Sequence, residues 1–467
     1  MLSSLSSIIS TINFYLFDYI LIFMLVAVGF WYTIQTRFVQ VRCFLEGARI
    51  ILKNMSMNGS DQKVGVTSFR ALMNAAGAQI GIGNIIGASS AVLIGGPGAI
   101  FWMWVTAFLG MATIYAETVS VLATRKIEIN GTIKGGPAYY IREAFKNRFG
   151  KFLAVLFAVS TIISVSLMNF LIQSNSVSTV FNNTFGIPYW LTGMVFTTIF
   201  GAIVIGGLNR VSYVTEKLVP MMSYIFIGGA IAVLIARIQY LPEAVYLIFY
   251  YAFQPQAIIG GGFGEALRIA VTQGVKRSLF SNEAGTGSGS LAHVQANVKD
   301  PHEQGVIAMH GVFLDTFVIL TLNALVIIST LYTSGGILAN GFNRELALAV
   351  DPNNLAQLGF GSVLDANNFE GLGAQFVAVF IFLFAFSNTL VSYLFGKMNV
   401  EYLLGDKNIH FYYIAAIILV FVGAFKGSEL IWELKDLSNG FMMLPNILAL
   451  FALTKLVKSN CSSSKKL

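Results

Sequence analysis

Gly77-Ala78-Gln79-Ile80-Gly81-Ile82-Gly83-Asn84 is an apolar run that glycine occupies three times in seven positions. It lies within residues 71–116, a block of 46 that contains no Asp, Glu, Lys or Arg. One membrane crossing needs about 20 mainly apolar residues, so an uncharged block of this length reads as membrane-embedded. Glycine is a poor helix former, yet three glycines fall at the depth of a bilayer. Irregular backbone is tolerated there only where protein buries it or where it lines a cavity. A helix broken at mid-membrane is a common way for a secondary transporter to build a substrate and ion site.

Composition agrees with a membrane protein. The chain is 56% hydrophobic and 11% charged, against about 25% charged in soluble domains. Two cysteines, Cys43 and Cys461, are too few for a disulfide framework and read as incidental. The first apolar run, Tyr19 to Thr36, has no basic region before it and no small-residue cleavage site after it, so it reads as a retained span. Further windows with little or no charge follow: 15–34, 71–96, 99–124, 152–181, 187–208, 215–236, 244–266, 305–332, 374–396, 409–426 and 438–457. They predict an all-α, multi-pass protein with about 11 transmembrane helices. Residues 152–209, 58 positions without a charge, must hold two spans, with Gly186-Ile187-Pro188 as the turn between them.

The basic residues set the orientation. If the first span enters from outside, the cytoplasmic segments carry 6 Lys/Arg in 34–72, 7 in 125–151, 4 in 268–300 and 4 in 455–467. Arg210, Lys217, Lys397 and Lys407 join them, which leaves Arg237, Arg344, Lys426 and Lys435 on the other side. The positive-inside rule therefore places the N-terminus outside and the C-terminus in the cytoplasm of a cell-membrane protein. The net charge of +7 belongs to loops at the lipid surface, not to a nucleic-acid interface.

Ten spans after the first divide into two sets of five, and an odd number per set makes the second inverted relative to the first. Each set opens on a glycine-broken span, at Gly77 to Gly87 and at Gly260-Gly261-Gly262-Phe263-Gly264. Paired interruptions in two inverted halves point to a transport site. The expected organisation is an extra N-terminal helix and connector (1–66), a first repeat (67–240) and a second repeat with a short cytoplasmic tail (241–467).

Several runs carry a family resemblance. Thr67-Ser68-Phe69-Arg70-Ala71-Leu72-Met73, Gly95-Gly96-Pro97-Gly98-Ala99, Phe101-Trp102-Met103-Trp104-Val105-Thr106 and Gly135-Gly136-Pro137-Ala138-Tyr139-Tyr140-Ile141 are of this kind. With Leu279-Phe280-Ser281-Asn282-Glu283-Ala284-Gly285 they resemble the alanine or glycine:cation symporter family, over about Thr67 to Gly405. The resemblance implies the leucine-transporter fold, a 5+5 inverted repeat plus one extra N-terminal helix. It also implies sodium-coupled import of a small neutral amino acid such as alanine or glycine.

An amino acid is a zwitterion and sodium a hard cation, so a dry site must offer N–H donors to the carboxylate and oxygens to the cations. An unwound helix frees both, and a half-helix N-terminus favours the carboxylate. Carried over from the family pattern, the amides of Ile82 and Gly83 would hold the carboxylate, and the carbonyls of Gly77 and Ile80 would face sodium. Asn84 would offer an oxygen to an ion or brace the break. The alternative for these glycines is close helix–helix packing. Gln173, in a run similar to the family's third core helix, would bond the substrate or another helix, and Phe263 would pack on its apolar part. Glu117, Asp315 and Glu283 read as partners of Arg/Lys or of helix ends.

The family pattern Ala-Phe-Ser-Thr-x-Leu-Gly-Trp-Ser appears here as Ala385-Phe386-Ser387-Asn388-Thr389-Leu390-Val391-Ser392-Tyr393. Ser387 is kept as an implied sodium ligand, and Asn388 replaces a threonine but still offers a neutral oxygen. Ser392 stands where a tryptophan would wall the pocket, which makes room for a longer substrate such as glutamine. Proton-coupled or uncoupled transport is the alternative mechanism. A channel would need a continuous polar lining, and an enzyme a catalytic constellation. The histidines His293, His302, His310 and His410 have no metal-ligand spacing, and Gly287-Ser288-Gly289 completes no nucleophile motif. No cofactor beyond sodium as coupling ion is expected. The expected partners are a neutral amino acid, sodium and lipid, with no nucleic acid and a monomeric chain.

Overall fold

The computed structural model describes residues 2–56, 65–129, 131–254, 263–339, 352–365, 371–425, 427 and 429–462. Among them, seven helices are long and apolar enough to cross a membrane, or nine if each of two bent pairs counts as one span. The continuous ones are Ile8–Gln35, Ala99–Thr124, Arg148–Phe185, Gly207–Ala236, Pro301–Tyr332, Leu372–Leu404 and Asp406–Gly423. The bent pairs are Ser68–Gln79 with Gly83–Gly95, at 49°, and Leu430–Ala452 with Thr454–Cys461, at 61°. Tyr189–Val204, 16 residues long, is apolar but shorter. The expected window 244–266 is represented by Leu241–Phe253, because Gly260, Gly261 and Gly262 lie outside the described residues.

Local chemistry sets the helix ends. The Thr67 hydroxyl accepts from the Arg70 amide at 3.1 Å and starts the first broken span, and Asn147 Oδ1 accepts from the Gly150 amide at 3.0 Å. Side-chain caps of this kind satisfy one of the amides that a helix start leaves over. Gly186 closes Arg148–Phe185 in the left-handed region, at φ 67°, where the Gly-Ile-Pro turn was expected.

Burial separates core from periphery. In its most apolar window, Leu372–Leu404 is 83% buried and Asp406–Gly423 only 22%. The first is therefore central, and the exposed Phe411, Ile414 and Ile418 of the second face lipid. Between helices in lipid the hydrophobic drive is weak, so close approach through small residues matters more. A Cβ on Gly423 would stand 2.7 Å from the Leu171 backbone, and one on Gly193 2.6 Å from the Ala424 methyl.

One end of the bundle carries the irregular connections. Lys126–Ile127 pairs antiparallel with Ile133–Lys134, and Val66 bridges Ala296. Arg125 donates to the Val294 and Ala296 carbonyls at 2.8 and 2.6 Å. These bonds hold the entry to the first broken span against the segment after Ser288–His293.

Candidate functional site

The break in the first span is a single tight turn. Ile80, at φ −75° and ψ 83°, takes the inverse γ conformation. The Gly81 amide donates to the Gln79 carbonyl at 2.8 Å and to Asn84 Oδ1 at 3.0 Å. In a continuous helix that amide would have bonded the Gly77 carbonyl. The turn releases the Gly77 and Ala78 carbonyls, and both are taken by one neighbouring helix. Ser387 Oγ lies 3.4 Å from Gly77 O and shares its proton between that carbonyl and Phe384 O of its own helix at 3.0 Å, while Asn388 Nδ2 donates to Ala78 O. Gly81 permits this approach, since a Cβ there would stand 3.0 Å from Asn388 Nδ2. Gly77 is a packing glycine as well: its Cβ would meet Val219 and Val391 methyls at 3.2 and 3.4 Å.

Asn388 joins this joint to a second network. Its Oδ1 accepts from Asn169 Nδ2 at 2.6 Å, Gln173 Nε2 at 3.0 Å and Ser392 Oγ at 3.3 Å. Asn169 Nδ2 also reaches Ser392 Oγ at 2.8 Å, and Asn169 Oδ1 accepts from Lys435 Nζ at 2.7 Å. Gln173 is 2% exposed, and its Oε1 has no hydrogen-bond partner among the described residues. A buried acceptor left unbonded costs about 1–3 kcal/mol, so this oxygen is suited to an N–H donor from a ligand.

Asn84 faces the other way. Its Nδ2 donates to Asp315 Oδ1 at 2.7 Å and to Asp315 O at 3.1 Å. The carboxylate also accepts from Ser281 Oγ at 2.9 Å and Thr316 Oγ1 at 2.8 Å. Asn323 Nδ2 donates to the Asn84 and Ile85 carbonyls at 3.0 and 3.2 Å. Both facing segments, Gly83–Gly87 and Phe313–Leu320, are π-helical. Such widened turns recur at functional sites.

The structure thus gathers Gly77, Ser387, Asn388, Gln173 and Ser392 around one joint. Ile80, Ile82 and Gly83 lie on the break, and Asn84 links it to Asp315. Phe263 begins the helix Phe263–Asn282, but its side chain lies outside the described residues. Two expectations need correction. Among the described residues Asp315 has Asn84, Ser281 and Thr316 as side-chain partners and no Arg or Lys, so the basic partner expected as one alternative is not found there. Lys435, counted with the outer loops, is a buried residue of Glu429–Ala452, only 7% exposed. Glu117 does meet a helix end, accepting from the Gly287 amide at 3.1 Å and from Asn446 Nδ2 at 2.6 Å. Glu283 accepts from Ser288 Oγ at 2.9 Å. Sequence reasoning missed Asn169, although Asn169 and Gln173 are four apart and share a helix face.

The match to a family model covers residues 2–466, and that family is described as the sodium:alanine symporter family. The chain is 34% identical over 457 residues to the sodium/alanine symporter AgcS of Methanococcus maripaludis, covering 97% of this chain and 96% of that protein. It is 32% identical over 455 residues to the probable sodium/glutamine symporter GlnT of Bacillus subtilis, covering 97% and 89%. Among solved structures, MhsT in complex with L-phenylalanine superposes with a TM-score of 0.59 at 14% identity, over 86% of this chain and 96% of that one. At that identity the likeness concerns the fold, and it agrees with the leucine-transporter architecture that the family resemblance implies. A helix opened at Ile80, a second helix taking its freed carbonyls, and a family match along nearly the whole sequence lead to one conclusion: this chain is a multi-pass transporter that belongs to the sodium:alanine symporter family.

Proposed function

We propose that this symporter imports a small neutral amino acid with sodium, binding both at the joint between the first broken span and Leu372–Leu404. Gly77 and Ile80 carbonyls, Ser387 Oγ and Asn388 Oδ1 form the ion site. Ile82 and Gly83 amides hold the substrate carboxylate, while Gln173 Oε1 and Ser392 meet its remaining polar atoms. The observation that carries this reading is the pair of carbonyls released at Gly77 and Ala78 and claimed by Ser387 and Asn388. The same two positions align with the family's ion-site motif, where Ser387 is kept and Asn388 stands in place of a threonine.

Asn388 presents its NH2 to Ala78 O and its oxygen to Asn169 and Gln173. To ligate sodium it must rotate, turning Oδ1 towards the break. That rotation releases the Gln173 amide, so ion binding and the freeing of a substrate group become one event. By linkage, sodium and substrate then strengthen each other's binding by the same factor. The expected result is that replacing sodium by choline lowers substrate affinity by about 10-fold or more, within the usual range of coupling energies. Unchanged binding in choline would refute this reading and favour proton coupling or uniport. Asn388→Thr supplies a hydroxyl to the same place and is expected to keep sodium dependence, checked by a sodium titration of uptake.

Alternating access would move the halves 67–240 and 241–467 as inverted repeats. The N-terminus lies outside, the C-terminus in the cytoplasm, and the chain works as a monomer in the cell membrane. This orientation rests on the distribution of basic loops, and a cysteine-labelling map of the loops tests it.

Substrate size follows from Ser392, which occupies the place of the family's tryptophan and is bonded to Asn169. A pocket without the indole takes a longer side chain, with glutamine favoured over alanine by the amide groups of Gln173 and Asn169. The glutamine named for the Bacillus subtilis relative is consistent with this. Ser392→Trp is expected to shift preference towards alanine and glycine by about 10-fold or more, since a methylene alone is worth about 1–3 kcal/mol and steric exclusion adds to it. Competition by a panel of unlabelled amino acids measures it. An unchanged ranking would mean that Ser392 does not wall the pocket.

A further inference from the structure

Far from that joint in sequence, three soft and hard donors converge where the N-terminal connector meets Pro301–Tyr332. Cys43 follows the short turn Val39–Arg42, Glu46 lies in the first turn of Phe44–Ser56, and His302 opens Pro301–Tyr332. The Cys43 Sγ, a Glu46 carboxylate oxygen and a His302 ring nitrogen all lie within 4.8 Å of one another. Cys43 is 5% exposed and His302 3%. His302 Nδ1 is bonded to the Tyr115 hydroxyl at 2.7 Å. Its Nε2 is buried with no hydrogen-bond partner among the described residues, 3.5 Å from Glu46 Oε1. The connector is seated closely by Gly47, where a Cβ would stand 2.5 Å from His310 Cε1 and 2.7 Å from Val306 O.

We propose that Cys43, Glu46 and His302 form a binding site for a divalent transition-metal ion of the zinc class, separate from the sodium site. Thiolate, imidazole and carboxylate are the donors zinc takes, and three of them leave the fourth tetrahedral position to water or another ligand. Sodium and other hard cations take oxygen ligands and do not select a thiolate. Metal-bound histidines almost always donate their other ring N–H to a polar partner, which fixes the tautomer. Tyr115 fills that place: accepting from Nδ1–H, it leaves the Nε2 lone pair for the ion. Binding replaces the thiol proton, so one proton leaves Cys43 for each ion bound. Glu46, with its side chain 43% exposed, gives the ion a way in from the aqueous side. Cys461, on the C-terminal helix, comes to the same end of the bundle through bonds to Arg42 Nη2 at 3.5 Å and Thr36 O at 3.9 Å. The two cysteines, incidental in sequence, thus become neighbours in space. An occupied site would staple the connector ahead of the first broken span to the helix that carries Asp315.

The test uses the full chain purified in detergent, loaded with Zn2+ alone, desalted and analysed for metal. About one zinc per chain is expected to remain, and Cys43→Ser and His302→Gln are each expected to lose it. Co2+ in place of zinc should give a thiolate-to-metal absorption band that Cys43→Ser abolishes. A measurement without variants guards against misfolding: zinc should slow alkylation of Cys43 in the wild-type protein by about 10-fold or more, as buried ligation of a thiolate demands. Three results would overturn the proposal: zinc retention no greater than in Cys43→Ser and His302→Gln, alkylation indifferent to zinc, or a Cys43–Cys461 disulfide in protein that retains no zinc.

Discussion

Gly81→Val is expected to lower sodium-driven uptake by about 100-fold, the scale of loss that a misplacement of about 1 Å produces at a reacting site. A Cβ at Gly81 already stands 3.0 Å from Asn388 Nδ2 and 3.4 Å from its Cγ, and valine adds two methyl groups beyond it. Retreat of Asn388 with no ion in place would break the bonds that its Oδ1 accepts from Asn169 and Gln173. Either the broken span moves away from Leu372–Leu404 or the Asn388 network opens. Both outcomes separate the freed carbonyls from Ser387. Gly83→Val should have the same result by another route, since a β-branched side chain resists irregular backbone and blocks approach to the amides. Uptake into proteoliposomes, normalised to protein inserted in the membrane, measures the effect. Near-normal uptake by both variants would leave these glycines as packing residues and remove the site from the break.

Much of the architecture is legible without coordinates, because hydrocarbon forces every span to be apolar and long. Ala99–Thr124 emerges with the limits its apolar window set, and Gly186 ends a helix at the expected turn. The position of the break is legible for the same reason, since glycine clustering at bilayer depth has few explanations. What a linear reading cannot supply is which polar residue meets which. Asn388 was chosen as an ion ligand, yet nothing in its sequence neighbourhood reveals that its NH2, not its oxygen, faces Ala78. Lys435 illustrates the opposite failure. A lysine just ahead of an apolar window is counted as a loop charge by any hydropathy argument. Only the packing of Glu429–Ala452 against the helix bearing Asn169 shows it buried and bonded. Cys43, Glu46 and His302 escape for a related reason, because their shared geometry depends on two segments separated by more than half the chain.

Asp315→Asn is expected to raise the sodium concentration for half-maximal uptake by about 30-fold. The carboxylate is fully buried and receives hydrogen bonds from Asn84, Ser281 and Thr316. Three donors suit an ionised, acceptor-only carboxylate, but an ionised group without a counter-charge costs several kcal/mol inside a protein. Its described hydrogen-bond partners supply no positive charge. On the reading proposed above, the transported cation would complete the balance through Asn84, whose Nδ2 is on Asp315 and whose Oδ1 is on the Gly81 amide at the break. Two unit charges about 8 Å apart at an effective dielectric of about 20 interact by about 2 kcal/mol, about 30-fold in affinity, which sets the scale of the expected loss. Asn keeps the shape and removes the charge, so saturating sodium should restore much of the maximal rate. Ser281→Ala, which removes one hydrogen bond and no charge, should shift the sodium requirement far less. A sodium titration of uptake at fixed pH decides between the readings. If Asp315→Asn leaves the sodium requirement unchanged but abolishes stimulation by an inward proton gradient, then Asp315 carries a proton, and the coupling mechanism must be rewritten around it.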